Sequence, residues 1–589
     1  FDARRPRDDS MIRAIIRFSA EHRYLVIATS IVALAFSWYS MKTIPLDALP
    51  DLSDTQVIVY SKWDRSPDII EDQVTYPIVT SLLGAPAVKS VRGFSDYGYS
   101  YVYVIFEDGT DIYWARSRVL EYLARVQGNL PAGVKVELGS DATGVGWVYQ
   151  YVLLDRSGQH DLADLRSYQD WTLRFLLQSV PGVAEVASVG GHVKQYQIHI
   201  DPNRLLSHNI SLLEVLGAVR ASNQEMGGRV LDFGGREYMI RGRGYVQGVA
   251  DLENIGLGLS QKSRTPVLLK HVARIEIGPD MRRGLVDFNG EGDAVGGIVV
   301  MRHGENALNV IRRVKARIAE IKPSLPPGVE IKEVYDRSGL IERSLKTLLN
   351  TLTGEMVLVS LVVLLFLWHL PSATSVIITL PVSVIVAFLP MYFLGVTTNI
   401  MSLAGIAIAI GVLVDGTIVQ VENMYRRVQA WMDAGEEAGT GKTFHEVRLG
   451  ALKEVAPSIF FSLLVLSVSF LPVFTLVETE GRLFRPLAYT MTFAMGLSAL
   501  LALTLDPAVR MLYSRYHPFV LRRPEGWALF SVHAEPVASK WNVRLFLMRA
   551  METIRKKALN IFYSQGFQNA INHALVGKYH REEEHPVSR

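Results

Sequence analysis

Residues 399–423 read NIMSLAGIAIAIGVLVDGTIVQVEN, an apolar run of membrane length that nevertheless carries Asp415, inside GVLVDG (411–416), and Glu422 near its end. An ionised Asp near a bilayer centre costs about 2.5–3.5 kcal/mol even on insertion scales, so such a residue faces a partner, a wet cavity or a proton path. We read Asp415 as a proton-coupling carboxylate, with Glu422 as a second candidate. The structural alternative is an Asp that lies near a helix end, or that pairs with a neighbouring helix only to hold a bundle together.

Further apolar runs lie outward from this one. Across 589 residues, 49% hydrophobic, candidate spans fall at 24–44, 354–370, 375–394, 399–421, 458–476 and 486–505, so six transmembrane helices are expected. Basic residues precede the first span (Arg13, Arg17, Arg23) and follow the fourth (Arg426, Arg427, Lys442, Arg448, Lys453) and the sixth (Arg510, Arg515, Arg522, Arg523). Six successive crossings put those ends on one side, which the positive-inside rule makes cytoplasmic. The expected organisation is a cytoplasmic segment at 1–23, a first span at 24–44, an exported region, a bundle of spans two to six at 341–513 and a cytoplasmic connector at 514–589.

The first span is long and lacks a small-residue cleavage site, so it reads as an anchor and not a signal peptide. A net charge of +3, with no basic patch interleaved with aromatics, gives no sign of nucleic acid binding. With no cysteine in the chain, the exported part folds without disulfides, and soft-metal chemistry falls to Met thioethers, His or carboxylates. The chain opens on Phe1 with its first Met at Met11 and ends on a polar stretch, so it reads as a translated fragment with room for more chain.

Between the first two spans, strand-like alternation and helical spacing follow one another. The first stretch, 45–139, has the order β-α-β-β-α-β. A second starts at 147–154, is interrupted by a Gly-rich interval and resumes at 296–301, which divides it into 140–226 and 280–340 around an insertion at 227–279. The expected fold is an α+β membrane protein: six transmembrane helices and two split-βαβ, ferredoxin-like units, the second carrying an inserted subdomain.

Two weaker signals remain. GTGKT (439–443) resembles the end of a phosphate-binding loop, but that loop needs a Gly where Glu436 stands, and no strand precedes it, so it reads as a connector. Met401, Met491, Met495 and Met511 lie in or beside spans. Met491 and Met495, one helical turn apart, have the spacing to pass a soft cation between thioethers, although Met is also an ordinary core filler.

The spans, the exported double unit, GVLVDG with the following VEN (421–423), IPLDALPDLS (44–53), GPDMRRG (278–284) and RLFRPLA (482–488) together resemble the resistance-nodulation-division transporters, in their heavy-metal efflux branch. The likeness runs over about residues 11–515 and resumes at 577–589; 552–567 has the pattern of an amphipathic surface helix. The resemblance implies a pump of twelve helices in two homologous halves, of which this chain looks like the first. It also implies a bacterial inner-membrane location, exported porter units with a docking subdomain in the second, a homotrimer, and periplasmic adaptor and outer-membrane channel partners. No cofactor is implied; the heavy-metal cation is the substrate and protons are the counter-ion.

By the same resemblance Asp415 carries the coupling proton, while its lysine partner and the cleft methionine cluster belong to the other half. Met281, Met401 and Met495 fall at positions of a methionine relay, with Met511 one residue off; Leu413 and Gln420 stand where two more methionines are expected. Members exporting divalent zinc, cobalt and cadmium have a second Asp six residues before the one matched by Asp415. Ala409 stands there, as in the copper and silver type, and thioethers suit Cu(I). A drug exporter of the superfamily would show adjacent paired Asp residues where this chain has Val414-Asp415-Gly416.

Overall fold

The computed structural model describes residues 11–259, 265–367, 370–435 and 440–513. The segments 1–10, 436–439 and 514–589, with the connector and the amphipathic pattern at 552–567, lie outside the described residues. Among the described residues, six helices are long and apolar enough to cross a membrane: Arg23–Thr43, Arg337–Leu365, Ser372–Phe393, Ile400–Asp433, Phe444–Thr475 and Glu478–Leu503. We number these the first to sixth spans.

Several of these helices outrun the hydropathic windows. The second starts at Arg337, 17 positions before the apolar run at 354, because polar residues such as Lys346, Asn350 and Thr353 fit a helix as well as the apolar stretch does, while lowering any hydropathy average. The fourth and fifth spans likewise extend beyond 421 and before 458.

The first strand-rich unit between the first two spans contains β1 (Gln56–Lys62), β2 (Val88–Asp96), β3 (Tyr99–Phe106) and β4 (Lys135–Leu138). They form one antiparallel sheet in the order β2-β3-β1-β4. Strand β1 alternates half-buried and buried residues, putting Val57 and Val59 on the core side. Against that face lies the helix Ile112–Val126, which buries Ala115, Val119 and Leu123 at helical spacing. Its start is fixed by Asp111, whose carboxylate accepts the Trp114 N–H at 2.7 Å.

The second unit begins with β5 (Trp147–Asp155) and β6 (Val183–Gly190). Next comes β7 (Lys194–Ile200), then β8 (Met226–Phe233), β9 (Arg236–Gly242), β10 (Gly256–Leu259), β11 (Pro266–Leu268) and β12 (Ala273–Pro279), before β13 (Val295–Met301) and β14 (Val329–Asp336) return to it. Its sheet has the order β14-β5-β13-β6.

Here the sequence-based boundaries need correction. Strand β7, which the sequence reading places in 140–226, pairs along its whole length with β12, from Ile200↔Ala273 to Lys194↔Pro279. With Leu205, Val215, Leu252, Val267 and Ile275 sharing one core, the inserted body runs from 194 to 279 and not from 227. An alternating strand shows which face is apolar but not which edge it joins, so a pairing across more than 70 residues of chain leaves no local trace.

The strand-rich units and the helical bundle are tied at defined joints. Asp47, just after the first span, pairs with Arg337 at 3.0 Å, and Arg337 also donates to Val145 O. Burial pushes the Asp47 carboxyl above its ordinary pKa, against the pull of Arg337. The same stretch pairs with the start of the fourth span: Asp47 N–H donates to Thr398 O at 3.1 Å and Ile400 N–H to Ala48 O at 3.2 Å. On the sixth span, Arg482 donates to Leu52 O at 2.9 Å, to Asp54 at 2.7 Å and to Asp108.

Replacing Arg482 with Ala is expected to weaken this last joint by about 1.5–3 kcal/mol, the range for hydrogen bonds to charged groups. The measurement is amide exchange, which should speed up around 52–54 and 108 while the core of the first sheet keeps its protection. The Arg482 hydrogen bond holds the Asp108 carboxyl below its ordinary value, so its contribution is complete above the unfolded carboxylate pKa of about 4 and is lost as pH falls through the lowered folded value. Protection at the joint, relative to the intrinsic exchange rate at each pH, should therefore be flat from neutral to mildly acidic pH.

Candidate transport site in the membrane

The fourth span organises the site. Asn399 caps it, its side chain accepting the Ser402 N–H at 2.9 Å while Ser402 Oγ accepts the Asn399 N–H at 2.8 Å. A Cβ on Gly405 would lie 2.6 Å from Leu487 O and closer still to Thr490 Oγ1, so glycine lets the fourth and sixth spans approach almost backbone to backbone. One turn further on, Ala409, fully buried, shares an apolar cluster with Ala387, Met491, Ala494 and Met495.

The opposite side of the same helix is uncovered. Ile408, Gly411, Asp415, Val419 and Glu422 recur at intervals of three or four and are all exposed, the signature of one helical face. Asp415 lies at the middle of that stripe, and among the described residues it has no hydrogen bond or ion pair to a side chain. The alternative in which Asp415 staples two helices therefore has no partner here. Glu422, seven residues or about 10 Å further along, pairs with Arg426 at 2.8 Å, both half-exposed or more. Beyond it Arg427 grips Glu454 of the fifth span, a charged rim at the helix end.

The methionines do not form one site. Met495 is fully buried and Met491 nearly so, together against Ala409. Met511 is buried in a separate cluster with Ile16, Leu452 and Leu503. Met401 is half-buried on the first turn of the fourth span. Met281, beyond the end of β12, is 58% exposed in the region between the first two spans. Among the described residues no three His, Asp or Glu side chains converge as a metal site. Of the relay-like positions, the structure thus joins Met495 to Met491 and leaves the others apart.

The GTGKT stretch also resolves in its described part. Thr443 caps the fifth span, accepting the Glu446 N–H at 3.3 Å, and Lys442 O accepts the indole N–H of Trp431 at 2.8 Å. That is helix-capping work on a connector.

One charged pair escaped the sequence reading. Asp506 and Arg510, on the short helix Leu505–Tyr513 after the sixth span, form an ion pair of 2.7 Å with both side chains 2% exposed. Its sequence signal is an i, i+4 acid and base beside the last apolar run. Arg510 had instead been counted with the flanking cations.

With that geometry established, comparison with known proteins places the chain. The sequence profile described as the AcrB/AcrD/AcrF family matches residues 15–518. The chain is 50% identical over 532 residues to Cation efflux system protein CusA of Escherichia coli strain K12, an alignment covering 87% of this chain and 51% of that protein. It is 49% identical over 533 residues to Putative cation efflux system protein SilA of Salmonella typhimurium, with the same coverage. A crystal structure of a heavy metal efflux pump superposes with a TM-score of 0.73 at 30% identity, covering 84% of this chain and 48% of that one. The chain belongs to the resistance-nodulation-division transporters, in the heavy-metal efflux branch, a family of transporters and not of enzymes. It spans about half the length of the curated relatives it matches.

The cluster around Ala409 makes a direct test. Ala409→Asp would set an ionisable group among alanines and methionines with no partner, and an unpaired buried charge costs several kcal/mol. We expect a large fall in thermal stability of the detergent-solubilised protein and no gain of zinc export in loaded vesicles. Zinc export without loss of stability would show that the position selects the metal by itself.

Proposed function

We propose that this chain forms half of a proton-driven exporter of heavy-metal cations, monovalent copper or silver by preference, in the bacterial inner membrane. The observation that carries the reading is the exposed stripe on the fourth span. A carboxylate in the middle of a membrane helix, on a face that nothing in the described bundle covers, requires a protein partner or an aqueous path. The family resemblance supplies such a partner from a second half. Each proton moving with the field is worth about 2.3 kcal/mol per 100 mV, enough to drive a conformational cycle when release is tied to one of its states.

Asp415 is the group that takes and gives up the coupling proton, and Glu422, salt-bridged at the rim, contributes less. Region 45–353 lies in the periplasm, and the body at 194–279 is the docking element of a homotrimer that meets an adaptor and an outer-membrane channel. The copper or silver preference is supported by Ala409 and by the adjacent Met491 and Met495, whose soft thioethers suit monovalent ions. Met495 is the relay position best placed in this half; Met281 in the exported region and Met401 at the head of the fourth span are further stations. Met511, in its own apolar cluster, is the least suited of the four.

In the complete pump, Asp415→Asn is expected to reduce gradient-driven metal efflux to the level of empty vesicles with assembly unchanged, and Glu422→Gln to leave a measurable fraction. Wild-type efflux from Asp415→Asn would refute the coupling role. Vesicles loaded in parallel with copper, silver or zinc should lose the monovalent ions first; export of zinc alone would refute the preference. Reconstituted without further chain, these 589 residues should show no gradient-dependent metal movement, because Asp415 would have no basic partner to make its protonation state a conformational signal.

A further inference from the structure

The buried pair at the end of the sixth span has features that a purely structural ion pair does not need. The helix Leu505–Tyr513 packs against the first and third spans and the leading helix Met11–Glu21. Arg510 Nε donates to Asp506 Oδ2 at 2.7 Å, and Arg510 Nη2 donates to Thr417 O at 3.3 Å, two residues past Asp415. The guanidinium therefore clamps the helix bearing Asp415 to the end of the sixth span.

The other carboxylate oxygen, Asp506 Oδ1, is buried with no donor among the described residues, and so is Oε1 of Gln420, whose amide N–H₂ lies 3.5 Å from Ala502 O. Both residues line an interior cavity of about 20 Å³, together with Thr379, Ser383, Thr417 and Ser498. That volume holds about one water. Three of its four hydroxyls offer little help: Thr379, Ser383 and Thr417 give their protons to the carbonyls of Ser375, Thr379 and Leu413 at 2.7–2.8 Å. Ser498 aside, the cavity thus presents two buried acceptors without donors. What fits it is a donor of protons.

We propose that Asp506 is a second protonation site of the membrane domain, loaded through a single water held between Asp506 Oδ1 and Gln420 Oε1. The resting water donates one hydrogen to each oxygen. An arriving proton makes it hydronium; one O–H bond breaks, the proton joins Asp506 Oδ1, and neutral water remains in place, accepting the new carboxylic O–H and donating to Gln420 Oε1. Arg510 then loses the anionic partner that holds its guanidinium in place, which loosens its bond to Thr417 O and so the clamp on the fourth span.

The surroundings leave Asp506 as the group that titrates. It is the one titratable residue among those that line the cavity, to which the third, fourth, fifth and sixth spans contribute uncharged side chains. Arg510 is the cation that acts on it. Further out, Arg23 of the first span and Arg448 of the fifth both donate to Met511 O, and the leading helix carries Arg13 and Arg17. Arg510 favours the ionised form, and burial, the larger effect, favours the neutral one.

For its part in transport the inference rests on the proton-driven reading, but its test does not. The complete pump is purified and titrated in sodium-free buffer by infrared difference spectroscopy. A carboxylic-acid carbonyl band should grow on acidification, persist in Asp415→Asn and vanish in Asp506→Asn. Gln420→Leu, which leaves the ion pair intact, should shift the band to higher frequency by removing the anchor of the water that accepts from it, and keeps the test decisive if Asp506→Asn fails to assemble. A wild-type spectrum without such a band, or one unchanged by both variants, overturns the proposal and leaves the pair structural. A response to added sodium at fixed pH in place of a response to pH overturns it in favour of a cation site. In vesicles, Gln420→Leu should displace the pH profile of efflux, whereas wild-type efflux from Asp415→Asn would refute the proton-driven reading and leave the infrared result standing.

Discussion

The close approach of the fourth and sixth spans at Gly405 sets the rest of the membrane domain. With no side chain there, the fourth helix settles against Leu487 and Thr490 of the sixth. Contact at that turn fixes the rotation of the whole helix. Ala409 is carried inward against Met491 and Met495, and Asp415, six residues on and about 120° round the axis, is carried outward. A larger residue at 405 would have to roll or separate the helices, moving the carboxylate off its stripe. The chemistry of Asp415 thus depends on a glycine ten residues away.

The same helix is held at both ends by different means. At the exported end, Thr398 and Ile400 exchange backbone hydrogen bonds with the segment after the first span, and Asp47 in that segment pairs with Arg337, where β14 passes without a loop into the second span. Backbone bonding and a buried pair transmit displacement better than flexible side chains do, so motion of the fourth span reaches the second exported unit through few soft elements. Arg482 does the equivalent for the sixth span and the first unit through Asp54 and Asp108. At the other end the grip is Arg510 on Thr417 O, a bond that depends on the charge of its neighbour.

Much of this was legible in the sequence, for physical reasons that can be named. Hydropathy located six spans because a bilayer imposes both length and composition. It missed their ends because polar turns such as 337–353 continue a helix outside the apolar layer without registering. The inserted body was recognised by its Gly-rich middle, but its first strand was assigned to the wrong sheet, since β7 and β12 are brought together only by the fold. Asp415 stood out as a lone acid in an apolar run. Asp506 did not, because it sits at the border where charges are expected, and only burial distinguishes a buried clamp from a flanking pair. The methionines were found by residue type, but which of them meet depends on helix rotation, which composition does not encode.

Asp415 and Asp506 are solvated in opposite ways by the same bundle, and that contrast bears on how the half is built. Asp415 is left open on a face that the bundle does not cover, so its energetics are set by whatever comes to lie there. Asp506 is enclosed with its own cation, so its energetics are set within this chain. An ion pair of this kind gains little net stability over a well-packed apolar pair, because desolvation consumes most of the attraction. Stability alone is therefore a poor reason for burying Asp506 and Arg510 with one carboxylate oxygen unmatched beside a water-sized cavity. A pair that grips the helix of Asp415 by a backbone carbonyl has a mechanical reason to be there: its strength changes with one proton, and the element it holds is the one whose outward face carries the other carboxylate.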